Sequence, residues 1–401
     1  MRPGRAGVMR PRVVYWTNIP APYMVDRFNT LSDRANVALE VWFSARTKPG
    51  RSWHVDEESW RFCYRFLPRV GRGDRFVALP TPLFRGSVPD VLVTLHWRLD
   101  FLLGCVLARR RGARTAFWVL ATYDAWIRRR RWKELAKSMI FPRVDAVLTP
   151  GQDGRAFARH YGASDDRILT VPQVIDVDHF RRGSDLSLTE RDRLRVELGL
   201  TGVTFLYVGR LWLGKGLLFL LDAFRNLEKT NIDTTLLLVG DGTDEEQLRR
   251  RCLEIGARKV IFAGFHHADS LPQLYAASDV FVFPTLGDPF GLVVLEAMAC
   301  GLPIIATNAS GEIRDRVADG LNGFIVPAGD SGRLFDRMRI LARDRALRER
   351  MGRLSANKAV GQTPDFWAQE FERAIASILA SSPAGESGAR GFSPPRGANP
   401  E

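Results

Sequence analysis

The stretch from Asp279 to Gly301, DVFVFPTLGDPFGLVVLEAMACG, leaves a chain few ways to fold. Val280 to Phe283 is a short β-branched and aromatic run closed by Pro284, which reads as a buried strand. Gly287, Asp288, Pro289 and Gly291 then punctuate the chain before a run of good helix formers from Leu292 to Cys300. Strand, glycine-bearing turn and helix make a cradle for an anion, because the first N–H groups of the helix have no partner within it and its dipole puts partial positive charge there. Two carboxylates frame that turn. Asp288 precedes the helix, and Glu296 lies roughly 7 to 8 Å along the axis from Gly291 at about 1.5 Å per residue. Acids on both sides of an anion site suit a ligand with hydroxyls on both sides of a phosphate, as in a nucleotide sugar. Asp288 also suits a plain helix cap.

The chain has 401 residues, 45% of them apolar, which is enough for two cores of ordinary size. A net charge of +13 and a pI near 10.1 imply attraction to nucleic acid, anionic lipid or a phosphorylated substrate, and charge alone does not choose among them. Cys63, Cys105, Cys252 and Cys300 show no metal-type spacing and read as buried free thiols in a reducing compartment. The longest apolar candidate, Phe101 to Ala108, falls far short of the roughly 18 to 20 residues that span a bilayer. The opening MRPGRAGVMRPR leads into a strand and not into a signal-type apolar core. The expectation is a cytoplasmic chain, at most peripheral at the inner face of the cell membrane.

Strand patterns recur at Val13 to Thr17, Val37 to Phe43, Tyr64 to Leu67, Asp90 to His96, Thr115 to Thr122 and Ala146 to Thr149, with helical segments between several of them. That alternation predicts a parallel sheet with helices on both faces, whose ligands meet the carboxyl ends of the strands. His96, Tyr123 and Asp124 fall at such ends and are candidate contacts for an acceptor or a sugar. After the first strand the turn carries Pro20 and Pro22, so the glycine fingerprint of a dinucleotide site is absent. The densest basic run, Arg109 to Arg114 and Arg128 to Lys133, is interleaved with Trp126, Ile127, Trp132, Leu135, Met139, Ile140 and Phe141. It reads either as a solvated face or as an anionic membrane contact. No nucleic-acid-binding motif accompanies it.

A polar, charged stretch from Arg181 to Glu197 marks a linker. The second domain begins at Thr204 to Val208, followed by Gly209-Arg210-Leu211-Trp212-Leu213-Gly214-Lys215-Gly216 and an apolar helix. Its glycines let the backbone approach a phosphate, Arg210 offers a fork of donors, and Lys215 a point charge. Leu334 to Ser355 reads as one long helix. Gln362 to Leu379 carries Phe366, Trp367, Phe371, Ile375 and Leu379 as a core-type stripe, and the Pro-, Gly- and Ser-rich tail reads as disordered.

DPFGLVVLEAMACGLPI resembles the E-x7-E signature of glycosyltransferase family 4, the retaining GT-B enzymes, with Asp288 where the family usually carries Glu. Gly209 to Gly216 resembles that family's GRLxxxKG, Val171 to Phe180 the VPxxxDxxxF segment that ends its first domain, and Ser310 to Asp315 its GGxxE element with Ser310 for the first glycine. The chain departs from the pattern at Pro20-Ala21-Pro22, where a glycine pair is usual, and in having no histidine at Ala121 to Asp124. The resemblance implies two doubly wound Rossmann-like domains facing across a cleft. They divide into an acceptor domain at 1–180, a linker at 181–200, a nucleotide-sugar domain at 201–361, a helix at 362–380 crossing back to the first domain, and a disordered tail at 381–401.

It further implies retaining transfer of a hexose-type sugar from a nucleotide diphosphate sugar to an acceptor, commonly a lipid-linked saccharide in bacterial cell-surface polysaccharide synthesis. The nucleotide sugar would be a co-substrate, with no cofactor and no metal. Arg210, Lys215 and the N–H groups near Phe290, Gly291 and Leu292 would take the diphosphate charge, with Gly209 close by. Glu296 would bind the ribose, Asp288 a donor-sugar hydroxyl, and Gly264 and Phe265 would face the nucleobase. Two other classes fit less well. A basic lipid- or nucleic-acid-binding module on a degenerate GT-B fold accounts for the charge but not for Arg210, Lys215 and Glu296 occurring together, and a GT-B nucleotide-sugar epimerase is disfavoured by the wording of the acidic motif.

Overall fold

A computed structural model describes residues 10–47, 56–72, 75–86, 88–95, 98–119, 131–288 and 290–382. The first domain is built on β1 (Arg12–Thr17), β2 (Ala38–Phe43), β3 (Cys63–Phe66), the antiparallel hairpin β4 (Arg69–Arg72) and β5 (Arg75–Ala78), then β6 (Val91–Leu95), β7 (Arg114–Trp118), β8 (Ala146–Thr149) and β9 (Ile168–Thr170). All but the hairpin form one parallel sheet in the order β3-β2-β1-β6-β7-β8-β9. The second domain holds β10 (Val203–Val208), β11 (Thr234–Val239), β12 (Val260–Gly264), β13 (Val280–Phe283), β14 (Ile304–Thr307) and β15 (Gly323–Val326), parallel in the order β12-β11-β10-β13-β14-β15. Both are doubly wound. Central strands such as β11 and β13 are buried throughout, as continuous apolar runs covered on both faces by helices must be.

Each sheet reverses its winding beside its first strand, at β1/β6 and at β10/β13, and a crevice opens outside the carboxyl ends of strands at such a point. The fold is therefore α/β with two Rossmann-like domains, the GT-B arrangement. The helix Pro364–Ala380 packs on the first domain, not the second: Trp367, Phe371, Ala374, Ile375 and Ile378 join the core that contains Tyr15, Phe28 and Trp118. Trp367 stacks on Phe371 with ring centroids 4.9 Å apart, and Arg34 holds Glu372 at 3.0 Å and Asp365 at 2.8 Å. Phe366 and Leu379, expected in the same stripe, are more than a third exposed, because Ala368, Ala374 and Ile378 take the inward positions.

Several local expectations are corrected. Residues 181–200 are not strung between domains. The helices Val177–Gly183 and Leu188–Glu197 lie on the second domain, where Arg191 and Arg195 pair with Asp279 at 2.8 and 3.3 Å and Leu200 enters the core. The helix expected from 334 to 355 is two, Ser331–Arg343 and Arg345–Ala359. Between them Asp344 turns extended (φ −110°, ψ 96°) and accepts the Leu347 N–H at 2.8 Å, a cap that starts a new helix. The strand expected from Thr115 to Thr122 ends at Trp118, and residues 120–130 lie outside the described ones. The four cysteines are free, Cys105 and Cys252 buried, Cys300 half-buried and Cys63 exposed. Among the described residues no helix is long and apolar enough to cross a membrane.

Candidate functional site

The turns that follow β10, β11 and β13 are knitted into one surface. Gly209 N–H donates to Val239 O at 2.9 Å, Leu211 N–H to Asp241 O at 2.7 Å, and Leu286 N–H to Gly214 O at 3.1 Å. Gly216 closes the first turn at φ 71°, where a Cβ would stand 1.9 Å from Pro284 O, so only glycine allows the two turns this close. The Tyr207 hydroxyl donates to Arg210 O at 2.9 Å and fixes the backbone there. Arg210 itself is exposed, its guanidinium 5.4 Å from the Trp212 ring.

Lys215 and Asp288 meet across these turns in an ion pair, both side chains mostly buried. The other oxygen of Asp288 accepts the N–H groups of Phe290 at 2.9 Å and Gly291 at 3.0 Å. Asp288 therefore does act on the helix entrance as a cap, and the Phe290 and Gly291 N–H groups expected to cradle a phosphate serve this carboxylate in the present structure. Burial works to raise the Asp288 carboxyl. Lys215 and the two N–H donors outweigh it and leave the group below the ordinary carboxylate value. The Asp288 backbone bridges to the segment after β14, its N–H reaching Ala309 O at 3.2 Å and its O accepting from Gly311 N–H at 2.9 Å.

Glu296, in the helix Leu292–Ala299, accepts the hydroxyl of the buried Tyr275 at 2.8 Å. Burial pushes its carboxyl up to about 7, with Tyr275 and Arg316 pulling the other way. Glu312 is likewise raised to about 7 by burial, against its buried partner Arg316 at 2.5 Å, and it holds a left-handed backbone at φ 62°. Outliers of this kind gather at functional sites. At the far edge, Gly264 ends β12 with its carbonyl taken by Gly240 N–H at 2.7 Å, and Phe265 is 43% exposed, edge-on to His267 at 5.0 Å.

The structure thus brings Gly209, Arg210, Lys215, Asp288, Phe290, Gly291, Leu292 and Glu296 together at the β10/β13 switch point, with Gly264 and Phe265 two strands away. His96, Tyr123 and Asp124 lie outside the described residues, as do the arginines at 128–130. Sequence reasoning missed Tyr275 and Arg316, and it named the segments that hold Glu312 and Gln173 without giving either residue a role. Nothing in helical periodicity marks an arginine in SGEIRDRV as buried.

Residues 202–344 match the family model described as Glycosyl transferases group 1. An uncharacterized glycosyltransferase of Methanocaldococcus jannaschii is 36% identical over 170 residues, covering 41% of this chain and 42% of that one. D-inositol 3-phosphate glycosyltransferase of Acidothermus cellulolyticus is 34% identical over 207 residues, covering 47% and 45%. The chain thus spans less than half the length of these two curated relatives. Among solved structures, Anabaena Alr3699/HepE in complex with UDP and glucose superposes with a TM-score of 0.74 at 18% identity, over 92% of this chain and all of that one.

Proposed function

We propose that this chain, whose fold is GT-B, is a group 1 glycosyltransferase that moves a hexose-type sugar from a nucleotide diphosphate sugar to an acceptor with retention of configuration. The observation that carries this reading is the meeting of Lys215 and Asp288 across two strand-end turns, with Glu296 further along the helix that the second turn opens. An ammonium has three N–H donors, so Lys215 can hold Asp288 and still reach a phosphate oxygen. Arg210, exposed at the rim, adds a fork for the second phosphate. Glu296, its backside fixed by Tyr275, accepts from the ribose hydroxyls, and Asp288 from a donor-sugar hydroxyl. Phe265 offers an aromatic face to the nucleobase. The structural neighbour with UDP and glucose supports a donor of this class.

In the proposed step the bond from the anomeric carbon to the diphosphate oxygen breaks as the acceptor oxygen bonds to the same face. The acceptor proton passes to the departing phosphate. Catalysis then rests on positioning and on charge aimed at the leaving group, which Arg210 and Lys215 supply without a metal.

The acceptor we propose is a lipid-linked saccharide, met at an anionic membrane surface. The helix Leu99–Arg110 exposes Leu99, Leu103 and Val106, spaced to share one face, and Arg131–Ile140 exposes Leu135 and Met139. Exposed apolar groups beside cations such as Arg110 suit a headgroup region. The test is incubation with a panel of nucleotide sugars and a lipid-linked acceptor, with product mass and anomeric configuration read out. Glycosylated lipid in the donor's configuration is expected; inversion removes the retaining mechanism, and absence of product with every donor removes the reading.

A further inference from the structure

Arg316 is 2% exposed, yet its guanidinium ends on main-chain carbonyls from both domains. Nη1 donates to Phe290 O at 2.9 Å and to Gly291 O at 2.6 Å, on the turn that carries Asp288. Nη2 donates to Gln173 O at 3.3 Å, just beyond β9, and to Glu312 at 2.5 Å. The Gln173 side chain in turn accepts from Arg27, in the first-domain helix Pro22–Arg34. Arg27 also donates to Tyr23 O at 2.9 Å and lies 5.4 Å from the Trp367 ring. An unbroken buried line thus runs from Arg27 through Gln173 and Arg316 to Phe290 and Gly291, whose N–H groups hold Asp288, which holds Lys215.

The neighbours of Arg316 on its short helix, Ile313–Arg316, grip the first domain as well. Arg314 pairs with Asp153 at 3.0 Å, and Asp315 accepts the Gln152 N–H at 3.0 Å at the start of the helix Gln152–His160. A Cβ at Gly151 would stand 2.2 Å from the Asp315 carboxylate, so a larger residue there would push that side chain off the Gln152 N–H. Three consecutive side chains of the second domain therefore touch the first, and one of them also holds the turn after β13. A planar guanidinium with five N–H donors in fixed directions can serve several carbonyls at once. Inside a protein such bonds are strong and their loss is not made good by water.

We infer that Arg316 is a positioning residue for transfer: it sets the Phe290–Gly291 turn, and through it Asp288 and Lys215, according to where the first domain places Gln173. This rests on the donor-site reading above. Coupling is carried by one hydrogen-bonded line, so substitutions in the first domain, away from the donor pocket, alter how the second domain binds the nucleotide. A guanidinium that merely filled the core would leave nucleotide affinity indifferent to Gln173.

The experiment is calorimetric titration of UDP and of GDP into the full chain, with melting temperature recorded beside it. For the tighter diphosphate, Gln173→Ala is expected to raise Kd at least fivefold. Gln173→Glu, nearly isosteric and still able to accept from Arg27, is expected to stay within twofold of the parent. Arg316→Lys, which keeps the charge beside Glu312 but loses the fork, is expected to raise Kd at least tenfold. If Gln173→Ala does not fold, Asp153→Ala removes the Arg314 contact at the rim, and at least a threefold rise is expected. A parent that binds neither diphosphate overturns the donor-site reading and this inference with it. A parent that binds, with the first-domain variants within twofold of it, overturns the coupling alone.

Discussion

Lys215 and Asp288 stand 73 residues apart in sequence and form one ion pair between the turns after β10 and β13. Removing one partner of such a pair strands the other, and breaking a buried pair costs about 3 to 5 kcal/mol in many proteins. The pair therefore ties local stability to the charge that would meet a diphosphate.

Aspartate is one methylene shorter than glutamate, and here its carboxylate is already fixed by Lys215 and two N–H groups. A misplacement on the order of 1 Å costs about a hundredfold in rate. Asp288→Glu is therefore expected to lower kcat/KM for the native donor at least tenfold and to leave nucleoside diphosphate affinity within threefold. Parent-like turnover in this variant would reduce Asp288 to a helix cap.

Glu296 supplies a prediction with a pH sign. Its carboxyl is raised from 4.5 to about 7 in the folded chain, first by burial. Between those values the folded chain keeps a proton that the unfolded chain releases, so this group's contribution to stability falls as pH rises, and above about 7 the cost of a buried charge is borne in full. Glu296→Gln carries no such cost and keeps an acceptor for Tyr275. Its melting temperature relative to the parent is expected to be higher at pH 8 than at pH 5. An equal offset at both pH values, or a larger one at pH 5, would contradict the assignment.

Because Arg210 and Lys215 are assigned the leaving-group charge, EDTA is expected to leave turnover within twofold. Strict dependence on an added divalent ion would show that a metal neutralises the diphosphate.

The exposed face of Leu99–Arg110 is expected to anchor the chain. Replacing Leu99, Leu103 and Val106 by Ser should weaken sedimentation with anionic vesicles at least tenfold, since each loses apolar surface that enters the headgroup region. Unchanged sedimentation would return that face to solvent.

The β13 strand, its turn and its helix were legible because an apolar run, a glycine at φ 57° and a helix-forming run agree on one local structure. Lys215 was legible from its glycines. Its pairing with Asp288 was not, since an ion pair between two turns has no local signature. Arg316, Gln173 and Glu312 were illegible for a related reason. Polar and charged residues are placed on surfaces by default, and it is partners brought by tertiary packing, Glu312 and the carbonyls of Phe290, Gly291 and Gln173 around Arg316, that make their burial favourable. The break at Asp344 was hidden because residues on either side favour helix, and a single cap decides it.

The central claim is that the turns after β10 and β13 hold the diphosphate of a sugar donor for transfer. Its most direct test is release of free nucleoside diphosphate from a nucleotide-sugar panel, with and without lipid-linked acceptor, comparing the parent with Lys215→Ala and Arg210→Ala. Acceptor-dependent release from at least one donor is predicted, lowered at least a hundredfold in each folded variant, because each loses charge-assisted contacts to the leaving group. Release that is undiminished in Lys215→Ala would contradict it.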